Sequence, residues 1–268
     1  MSIKAVLFDL DDTLLWDDRS VNEAFQATCR YAAEATGVDE RELEAAVRRE
    51  ARALYAAYDT FGFTQMIGIN PFEALWGKFE RGEHPMFRKL QELAPGYRES
   101  AWRKGLAAAG VDNPGLGAQL AEMFPAQRRK LKYVYDETFD VLNELKKSYK
   151  LLLLTNGSPD LQQEKLDGMP ELIPYFDSIV ISGNFGEGKP SSRLFAHAMD
   201  QIGITAEEGV MIGDKLTTDI LGANRIGMTS VWINRHGAVR DDEIVPSYEI
   251  KSLTELPDLI RTLNTRRN

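Results

Sequence analysis

Short apolar runs alternate with helical patterns along much of the chain. Five runs are continuously apolar, which is typical of strands buried on both faces of a parallel sheet. They span residues 3–10, 150–154, 178–182, 209–212 and 229–233. Helical apolar spacing occupies residues 136–147, 158–165, 191–202 and 217–226. Strands that alternate with helices in this way predict an α/β fold, namely a doubly wound, mostly parallel Rossmann-like sheet.

The segment after the first predicted strand interrupts this alternation. It contains no convincing strand, and its apolar spacing is helical at residues 21–35, 40–58, 73–79 and 99–109. Turns are predicted at Gly62, Asn70-Pro71, Pro95-Gly96 and Asn113-Pro114-Gly115. We therefore expect an all-helical domain of residues 16–130, inserted into a discontinuous α/β core of residues 1–15 and 131–268. Residues 265–268 are expected to form a loose tail.

Two carboxylates follow the first predicted strand directly. Ligands of open α/β sheets bind beyond the carboxyl ends of strands, where Asp9 and Asp11 stand. Residues two apart in an extended segment point to the same side, so the two carboxylates can converge on one ligand. Converging carboxylates repel each other unless a cation neutralises them, and hard oxygen donors suit Mg²⁺. A solvated acidic turn is the alternative interpretation.

A polar loop follows the second predicted strand. Thr155 and Asn156 begin this loop, and its hydroxyl and backbone N–H groups at a helix N-terminus can bind an anion. Ser158 or Asn156 could also cap the helix that follows. The two interpretations are compatible, because a cap uses one group and leaves the others available.

Polar residues follow the third and fourth predicted strands as well. Lys189 is the only cation in its glycine-containing loop, although an isolated loop lysine is often simply solvated. Asp214 lies at the tip of the fourth strand, and Asp219 lies near the start of the next helix, where it could merely complement the helix dipole. Four strand ends that all carry phosphate or metal chemistry favour a functional site.

Charge and cysteine content narrow the possible partners. A net charge of −9 argues against nonspecific binding to nucleic acid or to an anionic membrane, both of which need a dense positive surface. It leaves a small anionic substrate possible. The single cysteine, Cys29, excludes an intramolecular disulfide and suits a reducing compartment. No segment resembles a signal peptide or membrane span, so we expect a cytoplasmic protein.

Together these clusters resemble the four motifs of the haloacid dehalogenase-like (HAD) hydrolase superfamily. The matching residues are Asp9, Asp11, Thr13, Thr155, Lys189, Gly213, Asp214 and Asp219. The resemblance covers residues 3–15 and 130–235 in detail. By position and helicity, the insertion resembles the C1 helical cap of subfamily I phosphatases. Such a cap would close over the site through hinges near residues 15–18 and 128–132.

The resemblance implies a magnesium-dependent phosphatase with a covalent mechanism. Asp9 would attack phosphorus and form an aspartyl-phosphate. Asp11 would protonate the leaving alcohol and later activate the hydrolytic water. Mg²⁺ would be held by the carboxylates of Asp9 and Asp214 and by the backbone carbonyl of Asp11.

The resemblance also implies roles for the remaining motif residues. Thr155, the Asn156 N–H and Lys189 would bind the other phosphate oxygens. Asp219 would orient Lys189 or a metal-bound water, and Thr13 would fix the loop after the first strand. The substrate would be a small phosphorylated metabolite, and the chain would be a monomer or a homodimer.

Other activities share this fold. A dehalogenase lacks the second carboxylate of the first motif, so the presence of Asp11 disfavours that reaction. A phosphonatase needs a cap lysine that forms a Schiff base, and the sequence singles out none among Lys78, Lys89 and Lys104. A sugar-phosphate mutase keeps the full motif set and remains open, as does a non-catalytic binding protein on the same scaffold.

Overall fold

A computed structural model describes residues 2–239 and 243–267 of the chain. Its strands are β1 (Ala5–Phe8), β2 (Lys150–Thr155), β3 (Ser178–Ile181), β4 (Gly209–Gly213), β5 (Thr229–Ile233) and β6 (Tyr248–Ile250). They form one parallel sheet in the order β3-β2-β1-β4-β5-β6. Helices lie between successive strands from β1 to β5. The predicted doubly wound α/β fold is therefore confirmed.

The described residues also contain twelve α-helices. They are α1 (Asp17–Thr36), α2 (Glu40–Ala56), α3 (Phe61–Ile67), α4 (Pro71–Ala74), α5 (Pro85–Ala108), α6 (Pro114–Lys130), α7 (Thr138–Leu145), α8 (Pro159–Asp167), α9 (Ser182–Phe185), α10 (Ser192–Ile202), α11 (Leu221–Arg225) and α12 (Leu256–Arg267). A turn of π-helix, Leu216–Ile220, directly precedes α11. No helix in the described ranges combines the length and the apolar character that a membrane span requires.

The sheet is buried on both faces, as its continuous apolar strands predict. Along β1, Val6 and Phe8 belong to one apolar cluster, whereas Ala5 and Leu7 belong to another. This division follows from the alternation of side chains along a strand. Because β1 pairs with both β2 and β4, the carboxyl ends of these three strands are neighbours.

The chain divides into two compact units. The sheet unit comprises residues 1–16, 134–157 and 165–268, and the helical unit comprises residues 17–133 and 158–164. The sequence-based boundaries did not assign residues 158–164, which form the first part of α8, to the helical unit. There the side chain of Leu161 lies in the apolar core.

The core of the helical unit is rich in aromatic side chains. The ring centroid of Phe25 lies 4.5 Å from that of Phe124 and 5.9 Å from that of Trp102. Helices α2 and α5 approach closely at Gly105, where a Cβ atom would lie 2.3 Å from the side chain of Val47. This close approach explains why glycine occupies a helix interior, where it normally costs about 1 kcal/mol relative to alanine.

Two chain segments at the border of the insertion pair with each other inside the sheet unit. Leu15 and Val134 form an antiparallel bridge. The Leu14 carbonyl accepts hydrogen bonds from the N–H of Tyr135 at 3.2 Å and from the hydroxyl of Thr138 at 3.1 Å. We call these five residues the neck.

Several elements differ from the predictions. Strand β6 was not predicted, and neither were helices α3, α6, α9 and α12. The turns expected at Gly62 and at Pro95-Gly96 lie inside α3 and α5. In α5, the buried positions recur every three or four residues through this point, so packing of one helix face outweighs the helix-breaking residues. The expected loose tail is helical as far as Arg267, and Asn268 lies outside the described residues.

Candidate active site

Asp9 is held at the carboxyl end of the central strand β1. Its N–H donates to the Ile212 carbonyl at 2.9 Å, which continues the pairing of β1 with β4. The chain then turns at Asp12, which has a φ of 59°, and the Asp12 N–H donates to the Leu15 carbonyl at 2.7 Å. The Asp9 side chain is buried, whereas Asp11 is partly exposed.

Lys189 reaches Asp9 from the loop after β3. Its Nζ lies 2.6 Å from Asp9 Oδ1 and 2.7 Å from Asp219 Oδ1, and it donates to the Leu154 carbonyl at 2.7 Å. The lysine side chain is almost completely buried. A buried ammonium group costs several kcal/mol unless it is paired, and here two carboxylates and a carbonyl compensate it. The structure therefore brings together three residues that were predicted from separate motifs.

Three carboxylates converge beside Lys189. One oxygen each from Asp9, Asp214 and Asp219 lie within 4.8 Å of one another. Asp214 Oδ1 is buried and has no hydrogen-bond partner among the described residues. A cluster of carboxylates that includes this buried oxygen without a hydrogen-bond partner fits a hard divalent cation such as Mg²⁺. The cluster of three carboxylates includes Asp219, which was not among the expected metal ligands. The third expected ligand was the backbone carbonyl of Asp11.

Burial and mutual repulsion shift the pKa values of these groups. Burial raises the pKa of Asp9 to about 6, although Lys189 opposes the shift. Burial, together with the neighbouring charge of Asp9, also raises the pKa of Asp214 well above its usual value. For Lys189, burial alone would lower the pKa, but Asp219 and Asp9 outweigh that effect and raise it. A bound cation would relieve the repulsion between the carboxylates.

The polar loop after β2 is fixed to the lysine loop. The side-chain amide of Asn156 donates to the Lys189 carbonyl at 3.0 Å and accepts from the Lys189 N–H at 2.8 Å. Thr155 is buried at the end of β2. The Ser158 hydroxyl accepts from the Leu161 N–H at 3.3 Å, so the expected capping of α8 is confirmed for Ser158. The Asn156 side chain instead positions the backbone of Lys189.

Gly213 makes room for Asp219. A Cβ atom on Gly213 would lie 2.2 Å from Cγ of Asp219, which is too close for any side chain. Asp219 is completely buried, and its Oδ2 accepts from the N–H of Lys215 at 3.1 Å. The Gly-Asp motif thus requires glycine because the later aspartate packs against it.

Thr13 lies in the loop that follows β1 and is completely buried. Its carbonyl accepts a hydrogen bond from the Arg235 side chain at 3.0 Å. Arg235 also pairs with Glu137 at 2.6 Å and lies 3.6 Å from the ring centroid of Tyr135. These contacts fix the backbone of the loop that follows Asp9.

Two lysines near the carboxylates were missed from the sequence. Lys165 of α8 lies with its Nζ 2.8 Å from Asp11 Oδ2. Lys215 follows Asp214 directly, and the negative charges of Asp214 and its neighbouring carboxylates raise the pKa of this lysine. A lysine within a helix carries no distinctive sequence signal, whereas Lys215 stands next to a motif residue and could have been noticed.

Comparison with known proteins identifies the family. Residues 3–227 match the model of the haloacid dehalogenase-like hydrolase family, so the chain belongs to that family. The chain is 35% identical to a phosphoserine phosphatase of Thermus thermophilus over 255 residues, which cover 95% of this chain and 98% of the relative. It is 29% identical to a glyceraldehyde 3-phosphate phosphatase of Methanopyrus kandleri, across 97% and 98% of the two chains. The predicted family and the predicted class of phosphoric monoester hydrolase are confirmed.

Solved structures show the same fold. The HAD-hydrolase YfnB of Bacillus subtilis, bound to magnesium, has a TM-score of 0.67 and 23% identity, with 97% of this chain and 99% of that chain covered. A HAD phosphatase of Thermococcus onnurineus has a TM-score of 0.59 and 26% identity, with 96% and 98% covered. These similarities extend over the helical unit as well as the sheet unit.

Proposed function

We propose that the chain is a magnesium-dependent phosphatase that hydrolyses a small phosphorylated metabolite through an aspartyl-phosphate on Asp9. The observation that carries this proposal is the position of Asp9, which is buried at the end of β1, pairs with Lys189 and lies in one cluster with the carboxylates of Asp214 and Asp219. A carboxylate in this position has both a cationic partner and a candidate cation site beside it.

In the first half of the reaction, a carboxylate oxygen of Asp9 forms a bond to phosphorus, and the bond from phosphorus to the leaving oxygen breaks. Asp11 donates its proton to that leaving oxygen. In the second half, Asp11 accepts a proton from water, whose oxygen bonds to phosphorus and releases Asp9 with inorganic phosphate. When bound by Asp9, Asp214 and the Asp11 carbonyl, Mg²⁺ would supply charge neutralisation between the nucleophile and the phosphate.

The other polar residues of the site bind the transferring group. Lys189, the Thr155 hydroxyl and the Asn156 N–H would face the phosphate oxygens, where removal of one such donor typically costs about 3–4 kcal/mol of transition-state stabilisation. Asp219 positions Lys189 through their contact. The bonds between the Asn156 side chain and the Lys189 backbone support this assignment, because they fix the two binding loops together.

The helical unit is proposed to act as a C1-type cap that admits small substrates. The similarity to phosphatases named for phosphoserine and glyceraldehyde 3-phosphate supports a substrate of that size. The predicted cytoplasmic location, the monomeric or homodimeric state and the domain boundaries at residues 15/16 and 130/131 belong to the same proposal. The buried Cys29 is consistent with a reducing compartment.

Release of inorganic phosphate from p-nitrophenyl phosphate and from a panel of small phosphorylated metabolites tests this function. We expect release with Mg²⁺ and none with EDTA, and we expect addition of Mg²⁺ to restore it. The ranking of metabolites would define the substrate class. A folded protein that releases phosphate from none of them, or that only moves phosphate between sugar hydroxyls, would contradict the proposal.

A further inference from the structure

We propose that Lys165 is a positioning residue that orients the carboxyl group of Asp11 for proton transfer to the leaving group. The inference rests on the proposed function, in which Asp11 is the general acid. It assigns a role to a buried cation of α8 that lies outside the four motifs. Its support comes from the geometry of the ion pair, from the burial of the lysine, and from the contact of two buried lysines with different carboxylates of the first motif.

The ion pair joins two elements that are distant in sequence. Lys165 Nζ lies 2.8 Å from Asp11 Oδ2, and the side chains are 3% and 16% exposed. An exposed ion pair is worth little, but a pair at this burial has low solvent screening and a defined geometry. The contact therefore restricts the rotation of the Asp11 side chain.

Packing alone does not account for a lysine at this position. The Lys165 residue is only 6% exposed, so little of it is in contact with solvent. A buried ammonium group costs several kcal/mol of desolvation free energy, which only its polar contacts can offset. The ion pair between the Lys165 ammonium group and Asp11 therefore accounts for a lysine at this position.

The two buried lysines contact different carboxylates of the first motif. Lys189 pairs with Asp9, the proposed nucleophile, while Lys165 pairs with Asp11, the proposed acid. They come from the loop after β3 and from the helix after β2. Asp9 and Asp11 are therefore each contacted by a different buried lysine, although they stand only two residues apart.

Asp11 needs such support because it directly precedes a turn. The next residue, Asp12, has a positive φ, and the chain folds back at once to Leu15. A proton donor must lie within hydrogen-bond reach of the leaving oxygen, and small displacements of a catalytic group can cost about a hundredfold in rate. A cation on Oδ2 restrains the carboxyl group from outside the loop.

The test compares Lys165→Met and Lys165→Arg with the wild type. Lys147→Met is the matched control, because Lys147 is exposed in the sheet unit. Initial rates are measured on p-nitrophenyl phosphate, phenyl phosphate and β-glycerol phosphate, whose leaving groups need increasing assistance from an acid. Circular dichroism and thermal unfolding establish folding, and Lys165→Gln replaces the Met variant if that variant does not fold.

For Lys165→Met, we expect kcat to fall roughly a hundredfold on β-glycerol phosphate and less than about tenfold on p-nitrophenyl phosphate, with KM changed little. Lys165→Arg, which keeps the positive charge, should retain most of the wild-type kcat. In an Asp11→Asn background, Lys165→Met should have almost no further effect on kcat, because the group that it positions is gone.

Equal losses on all three leaving groups, or a change confined to KM, would overturn the positioning role. So would full additivity with Asp11→Asn. An active wild type whose Lys165→Met variant is unaffected would refute this inference and leave the proposed phosphatase intact. A wild type inactive on all three esters would instead refute the proposed function.

Discussion

At the scale of one residue, Asp9 shows how the fold changes the pKa of a side chain that it buries. Burial raises the pKa of this carboxyl from 3.8 to about 6. Between these values the native chain binds more protons than the unfolded chain. The contribution of Asp9 to the free energy of unfolding therefore decreases as the pH rises through this window.

We predict that Asp9→Asn removes this part of the pH dependence and abolishes turnover. In EDTA, the free energy of unfolding should decrease between pH 4 and pH 7 in the wild type. The decrease in the variant should be smaller by about 2–3 kcal/mol. Urea unfolding at the two pH values measures the difference. Asp136→Asn, which alters an exposed carboxylate, serves as the control. Parallel pH profiles for wild type and Asp9→Asn would show that the buried carboxyl carries no such cost.

Asp214 is the residue whose change separates metal binding from chemistry. Its buried Oδ1 has no hydrogen-bond partner among the described residues. Asp214→Ala should raise the Mg²⁺ concentration for half-maximal activity at least about tenfold, since even changes behind the direct ligands cost about 10–100-fold in metal affinity. Activity titrated with Mg²⁺ measures this value, and an unchanged requirement would exclude Asp214 as a ligand.

The motif carboxylates and Lys189 could be predicted from the sequence because the ends of adjacent parallel strands meet at one edge of the sheet. The contact of Lys165 with Asp11 could not be predicted. It depends on the direction of α8 after the loop, and that direction follows from packing rather than from a motif. The Asn156 side chain was missed for a similar reason, since its partners are backbone groups of a distant loop.

At the scale of elements, two glycines differ in whether the structure has space for a side chain at their positions. Gly213 in β4 faces Asp219, so a methyl group has no space there. We expect Gly213→Ala to displace Asp219, with a loss of stability of about 1–3 kcal/mol and of most phosphatase activity. Chemical unfolding and phosphate release measure the two losses. A variant with normal stability and activity would show that the motif glycine is not required by this contact.

Gly96 lies at an exposed position inside α5, where an added Cβ atom would meet no atom within 4 Å beyond its chain neighbours and the adjacent backbone of its own helix. Because the backbone is helical there, Gly96→Ala should stabilise the protein by about 0.5–1 kcal/mol. Thermal or urea unfolding measures the gain. Destabilisation would instead be the result expected for a turn with a left-handed glycine.

The pair Pro95-Gly96 shows why local turn signals failed in the helical unit. The face formed by Leu90, Ala94 and Tyr97 is buried, and this burial stabilises α5 through two residues that ordinarily end a helix. Strand β6 was missed for the converse reason. It has three residues at the edge of the sheet, too few for an alternation pattern to be visible.

At the scale of the whole molecule, the proposed cofactor should couple activity to stability. Mg²⁺ that binds only the native chain should raise the free energy of unfolding by about 2.7 kcal/mol at a concentration a hundredfold above its Kd. Calorimetry with EDTA and with Mg²⁺ measures the difference for wild type, Asp214→Ala and Asp136→Asn. Only Asp214→Ala should lose the gain, and an equal gain in all three would place the ion elsewhere.

The neck has a consequence for how this architecture tolerates insertions. Leu14 and Leu15 pair directly with Val134 and Tyr135. The two ends of the sheet unit, before residue 17 and after residue 133, are therefore joined by backbone pairing within that unit. To the sheet, the whole insertion is equivalent to the loop of a hairpin. A different module could therefore be grafted between these neighbouring ends without rethreading any strand, provided that it also covers Leu161 and the start of α8.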